Sequence, residues 1–125
     1  MLKIGELAQL MGVEPQTIRN YEQQSLLKPA ARSKAGQHRL YGDEEVARLQ
    51  FIRQANLAGL TLREVKELLA LIDGGQRGEN FPRVREALEK HIRDAEQKMV
   101  LLSAFRDSLL SYRLRFEEKE DHGQL

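Results

Sequence analysis

The 125-residue chain is the length of one domain, or of one small domain with an appendage. Its 41% hydrophobic and 31% charged residues give a soluble globular balance, and the absence of cysteine excludes disulfides, cysteine-ligated zinc or iron–sulfur centres and thiol redox switches. The net charge of +1 conceals a local bias: residues 19–41 hold five basic residues (Arg19, Lys28, Arg32, Lys34, Arg39) against one acid, Glu22, the footprint of a polyanion site or else a solvated loop.

Four short helical patterns come first. Gly5–Met11 carries Leu7, Leu10 and Met11 and stops at Gly12, which suits the left-handed turn after a helix end. Pro15 opens a second helix, reaching about Gln24, because its missing N–H would have no partner at that position anyway. Ile18 and Tyr21 are its apolar positions, which leaves Gln16, Thr17, Arg19, Asn20 and Gln23 free for solvent or a ligand. Residues 28–41, with Pro29, Gly36 and alternation around Arg39-Leu40-Tyr41, predict a hairpin tipped by Lys34-Ala35-Gly36-Gln37. Asp43 is expected to cap a third helix that buries Val46, Leu49, Phe51 and Ile52 and ends near Gly59. Thr61-Leu62-Arg63-Glu64 reads as a capping box, opening a fourth helix that presents Val65, Leu68, Leu69 and Ile72.

Three glycines among residues 74–78 predict a linker. The expected organisation is a domain over 1–73, a linker over 74–81, a long helix over 82–116 and a flexible acidic tail over 117–125. In the long helix Leu88, Ala95, Leu102, Leu109 and Phe116 recur every seven residues, with Ile92 and Met99 between them, a coiled-coil pattern. Arg106 and Arg113 interrupt the second row, where Phe105 and Tyr112 continue the apolar stripe. A helix of roughly 50 Å cannot bury such a seam against a 70-residue domain alone, so dimerisation through Leu88, Ile92, Ala95, Met99, Leu102, Phe105 and Leu109 is expected.

The first two helices and their glycine turn have helix-turn-helix dimensions, and a basic hairpin beside them fits a wing on phosphates. Ile4-Gly5-Glu6-Leu7-Ala8, Thr17-Ile18-Arg19-Asn20-Tyr21-Glu22, Arg39-Leu40-Tyr41, Leu49-Gln50-Phe51-Ile52-Arg53 and Gly59 through Leu69, in that order and spacing, resemble the MerR family of transcriptional regulators over about residues 2–72. The resemblance implies a mainly α fold: a winged helix-turn-helix DNA-binding domain followed by a dimerisation helix in an antiparallel coiled coil. It implies a homodimer on a palindromic site in double-stranded promoter DNA. Bending and untwisting an over-long spacer would then let RNA polymerase engage the promoter, so that polymerase is an indirect partner. A winged-helix repressor or architectural protein without effector-driven activation is the alternative reading.

By position, the resemblance assigns Gln16, Thr17, Arg19, Asn20 and Tyr21 to the recognition helix and Arg32, Lys34, His38, Arg39 and Tyr41 to the wing. Tyr21 has a second reading, packing beneath the wing. The chain is similar to the short metal- and redox-sensing branch but lacks that branch's cysteines, which disfavours soft ions. A small-molecule effector against Phe81, Phe105, Tyr112 and Phe116 is a further expectation, with simple core packing as its alternative. His122 with Glu118, Asp121 and His91 is the one candidate metal set, and a solvated tail is the simpler reading, so no metal and no cofactor is expected. Nothing in the sequence supports an enzyme. No apolar run approaches the ~18 residues that span a bilayer and no signal-peptide layout opens the chain, so a cytoplasmic location is expected.

Overall fold

The computed structural model describes residues 1–123. The chain divides into two compact units, Met1–Arg77 and the remainder from Gly78. The first unit contains β1 (Leu2–Lys3), α1 (Ile4–Met11), α2 (Pro15–Gln23), β2 (Ala31–Arg32), β3 (Arg39–Tyr41), α3 (Asp43–Leu57) and α4 (Leu62–Gln76); the second is α5 (Phe81–Asp121).

Three of the helices in the first unit start by one device, a glutamate at the third helical position that accepts from a backbone N–H just before the helix. Glu6 takes the Lys3 N–H at 2.9 Å, Glu45 that of Gly42 at 3.1 Å and Glu64 that of Thr61 at 3.1 Å. Thr61 alone returns the bond, its hydroxyl accepting from the Glu64 N–H at 3.2 Å, which completes the expected capping box. Gly42, not Asp43, precedes α3: Glu45 already satisfies its N–H, and Asp43 becomes the first helical residue.

Between α1 and α2, Gly12 takes φ +67°, which a side chain resists, and Val13 N–H closes on the Ala8 carbonyl at 3.0 Å. This turn brings Leu7 and Ile18 into a core with Leu26, Leu27, Tyr41, Leu49, Ile52 and Val65, all of them buried. Val46, Phe51 and Ile72 sit half-buried at its edge. The hairpin pairs Ala31 with Leu40 and Arg32 with Arg39, and β1 adds an unanticipated third strand on the other side, Leu2 opposite Tyr41.

The linker is shorter than expected. α4 continues through Gly74 and Gly75 to Gln76, leaving residues 77–80 between the helices. Arg48 of α3 holds that end in place: two of its nitrogens donate to the Asp73 carboxylate at 2.7 and 3.0 Å, and its Nε to the Leu26 carbonyl at 2.6 Å. Gly74, next to Asp73, is buried within the last turns of α4. α5 likewise outruns its predicted end at residue 116. Arg113 pairs with Glu117 one turn on, Lys119 lies over the Phe116 ring, and no helix breaker occurs before Gly123. The expected flexible tail is thus helical to Asp121, and its residues 124–125 lie outside the described residues.

Replacing Arg48 by Met should lower the unfolding free energy by about 1–3 kcal/mol, since it strands Asp73 and the Leu26 carbonyl together. Replacing Arg63, whose ion pair with Glu67 is almost fully exposed, should cost under about 0.5 kcal/mol. Urea unfolding of both variants measures the contrast.

Candidate nucleic-acid interface

α2 and the hairpin converge on one concavity of about 350 Å³, lined by Ile4, Arg19, Arg32, Gln37, His38 and Arg39. Arg19 projects from the exposed face of α2, beside Gln16 and Asn20, whose side chains bond each other at 3.0 Å. Thr17 lies half-buried in the first turn of α2. Across the concavity the strand register sets Arg32 directly opposite Arg39. Two like charges at such a pair destabilise a hairpin unless something offsets them.

Glu22 offsets one of them. Its side chain, 11% exposed, accepts from Arg39 Nη1 at 3.2 Å on one oxygen and from the Tyr41 hydroxyl on the other. The carboxylate therefore ties the last turn of α2 to β3, the central strand of the sheet. Arg19 and Arg32 make no ion pair among the described residues, so their charges remain available. The hairpin tip is shaped by Gly36 at φ +68°, whose N–H donates to the Ser33 carbonyl at 2.8 Å; the loop is closed by Ser33, whose N–H donates to the His38 carbonyl at 2.8 Å and whose hydroxyl accepts from the His38 N–H at 3.2 Å.

The structure thus gathers Arg19, Arg32, His38 and Arg39, and adds Gln37 and Glu22, which sequence reasoning did not assign to the site. The signal for Glu22 was present, because it is the lone acid within 19–41. Lys34 sits exposed at the tip, outside the concavity. Two of the assigned residues lie below the surface, Tyr21 in keeping with its second reading. Tyr21 is 8% exposed and accepts a bond from Asn56 Nδ2 at 3.0 Å, and Tyr41 is fully buried, so both tyrosines support the surface from beneath. Their rings are too large and apolar to be left out of a core this small.

The aromatic residues proposed for an effector all lie exposed on α5. Phe81 and Phe105 are separated by roughly 36 Å of helix, so a single chain does not bring the four together. Arg115 and Lys119 stack on Tyr112 and Phe116 at 5.1 and 5.5 Å from the ring centres. Among the described residues no three His, Asp or Glu side chains are grouped to hold a metal ion, and no helix is long and apolar enough to cross a membrane.

Burial, reinforced by the hydrogen bond to Glu22 and that carboxylate's charge, pushes the Tyr41 phenol well above its usual value. The folded state then holds this proton more tightly than the unfolded chain does. The resulting stabilisation is complete below about pH 10 and lost as the pH rises beyond it. Wild-type unfolding free energy should fall above about pH 10 with a slope approaching ~1.4 kcal/mol per pH unit from this group. Denaturant titrations at a series of alkaline pH values should show the shallower decline in Tyr41→Phe; equal slopes would remove Tyr41 as the cause.

Comparison with known proteins extends this picture. The family profile described as "MerR HTH family regulatory protein" matches residues 2–72, and one described as "MerR, DNA binding" matches residues 46–112. The chain is 38% identical over 108 residues to an uncharacterized HTH-type transcriptional regulator of Pseudomonas aeruginosa, covering 86% of this chain and 80% of that protein. It is similar to a transcription regulator from Ralstonia metallidurans solved in complex with lead(II), at 35% identity and a TM-score of 0.59 over 90% of this chain and 86% of the other. It shares its fold, at a TM-score of 0.76 and 20% identity, with HiNmlR, a MerR family regulator lacking the sensor domain, bound to promoter DNA; the match covers 96% of this chain and 92% of that one.

Proposed function

The chain belongs to the MerR family of DNA-binding transcriptional regulators, which are not enzymes, and on that footing we propose that it acts as a homodimer on a palindromic promoter site, activating by bending and untwisting the DNA between the promoter elements. The observation that carries this reading is the concavity where unpaired Arg19 on α2 faces unpaired Arg32 on the wing. A helix face offers base-edge contacts, and a wing cation offers phosphate contacts; together they grip the duplex at two places and can offset a deformation costing a few kcal/mol. Gln16, Thr17 and Asn20 belong to the helix part of this interface, and Lys34, His38 and Arg39 to the wing part. α5, on which no residue is buried, supplies the dimer surface through Leu88, Ile92, Ala95, Met99, Leu102, Phe105 and Leu109.

The proposed arrangement follows the expected division: residues 1–73 read DNA and the long helix joins two copies. Lead(II) is bound by the Ralstonia relative; this sequence has no cysteine, so a thiolate cannot hold a soft ion here. Whatever signal controls the protein is read by other chemistry.

Sites selected from random duplexes should be dyad-symmetric, and circularly permuted fragments should map a bend to their centre. An asymmetric or unbent site would overturn the distortion reading. Arg32→Ala should weaken all duplexes about equally and reduce the slope of log affinity against log salt by about 1 per site engaged. Arg19→Ala should cost on the order of 1–3 kcal/mol and relax sequence preference; unchanged affinity would take Arg19 off the contact surface.

A further inference from the structure

α2 carries a second polar feature that the arginine concavity does not include. Gln16 and Asn20, one turn apart, are both exposed, and Gln16 Nε2 donates to Asn20 Oδ1 at 3.0 Å. The helical repeat fixes the order of side chains round the helix. From Arg19, Glu22 lies about 60° round toward the hairpin it bonds, while Gln16 and Asn20 lie about 60° and 100° round the other way. Arg19 therefore edges the hollow, and the amide pair occupies the middle of the exposed face, with Ile18 and Tyr21 buried on the opposite one.

A side-chain amide carries a donor and an acceptor on one planar group. The bond between the two amides uses an N–H of Gln16 and the oxygen of Asn20. The Asn20 amine remains as a donor and the Gln16 oxygen as an acceptor. Turning both amides over exchanges which residue supplies which, and still leaves one donor beside one acceptor. Turning over one alone would set oxygen against oxygen, or amine against amine. The pair thus excludes the two arrangements that would present two donors or two acceptors.

Resting on the promoter-DNA reading above, we propose that Gln16 and Asn20 act as one unit that reads a single adenine in the major groove of each half-site. Adenine presents there an acceptor, N7, beside a donor, the N6 amine. Guanine presents two acceptors, cytosine a donor without a neighbouring acceptor, and thymine an acceptor beside a methyl group. Asn20 Nδ2 donates to N7 while Gln16 Oε1 accepts from the N6 amine. A guanine in the same place would set its O6 against the Gln16 oxygen, and relieving that contact would break the bond between the two side chains. Because that bond forms on the helix before DNA arrives, it lowers the cost of ordering both side chains at the base.

The test uses the full chain and duplexes recovered by selection from random sequence. Wild-type protein should select an A·T pair at one fixed position of each half-site. Guanine in place of that adenine in one half-site should weaken binding roughly 5- to 150-fold. 7-Deazaadenine, which lacks the N7 acceptor, should weaken it in the same direction, and this arm needs no protein variant. Gln16→Ala and Asn20→Ala should both lose the preference at that same position, binding the adenine and guanine duplexes to within about twofold of each other. Asn20→Arg, which offers two donors, should turn the preference to guanine. Relaxation at two different positions would overturn the joint reading. A preference unchanged in both alanine variants would overturn it too, leaving the pair a support for the helix alone; in either case the DNA-binding reading stands. Wild-type protein that selects no duplex at all would overturn both.

Discussion

One carboxylate holds together the surface proposed to meet DNA. Glu22, in the last turn of α2, bonds at once to Arg39 and Tyr41 of β3. Because it is nearly buried, water cannot replace either bond cheaply, and these two side-chain bonds set the spacing between α2 and β3. Everything on the exposed side inherits that spacing. Arg19 and Arg32 face a common hollow because the elements that carry them are locked behind it.

The cations divide accordingly into those consumed by the fold and those left over. Arg48 is spent on Asp73 and the Leu26 carbonyl, where it ends α4 and braces the loop after α2. Arg39 is shared between Glu22 and solvent. Arg19 and Arg32 remain uncommitted and line one hollow, which is the electrostatic reason to associate it with an anion such as phosphate. α5 makes a parallel case in apolar terms: its bare leucines and aromatic rings form the face that the proposed homodimer would cover.

Local chemistry was legible in the sequence wherever a short-range rule decides the outcome. The Thr61–Glu64 box, Gly12 at the turn, Pro15 at the start of α2 and the hairpin tip at Gly36 all depend on neighbours within a few residues, and each stands where it was expected. What was illegible depended on contacts distant in sequence. Gly74 and Gly75 signal a linker unless Arg48, 25 residues earlier than Asp73, anchors the helix that contains them. Tyr41 carries a family position that suggests DNA contact, yet it is buried with its hydroxyl on Glu22; for Tyr21, whose hydroxyl accepts from Asn56, packing was already one of two readings. β1 is two residues long and pairs across nearly forty positions, too little pattern to announce itself.

The facing arginines of the hairpin, Arg32 and Arg39, carry a consequence for how the free wing responds to its surroundings. Added salt screens their mutual repulsion and so tightens the unbound hairpin, while the same salt competes with phosphate for both side chains. Order in the wing and grip on a polyanion therefore respond to ionic strength with opposite signs. Glu22 already offsets Arg39, so the repulsion left for salt to relieve is small, and grip on a polyanion is the property that ionic strength moves most.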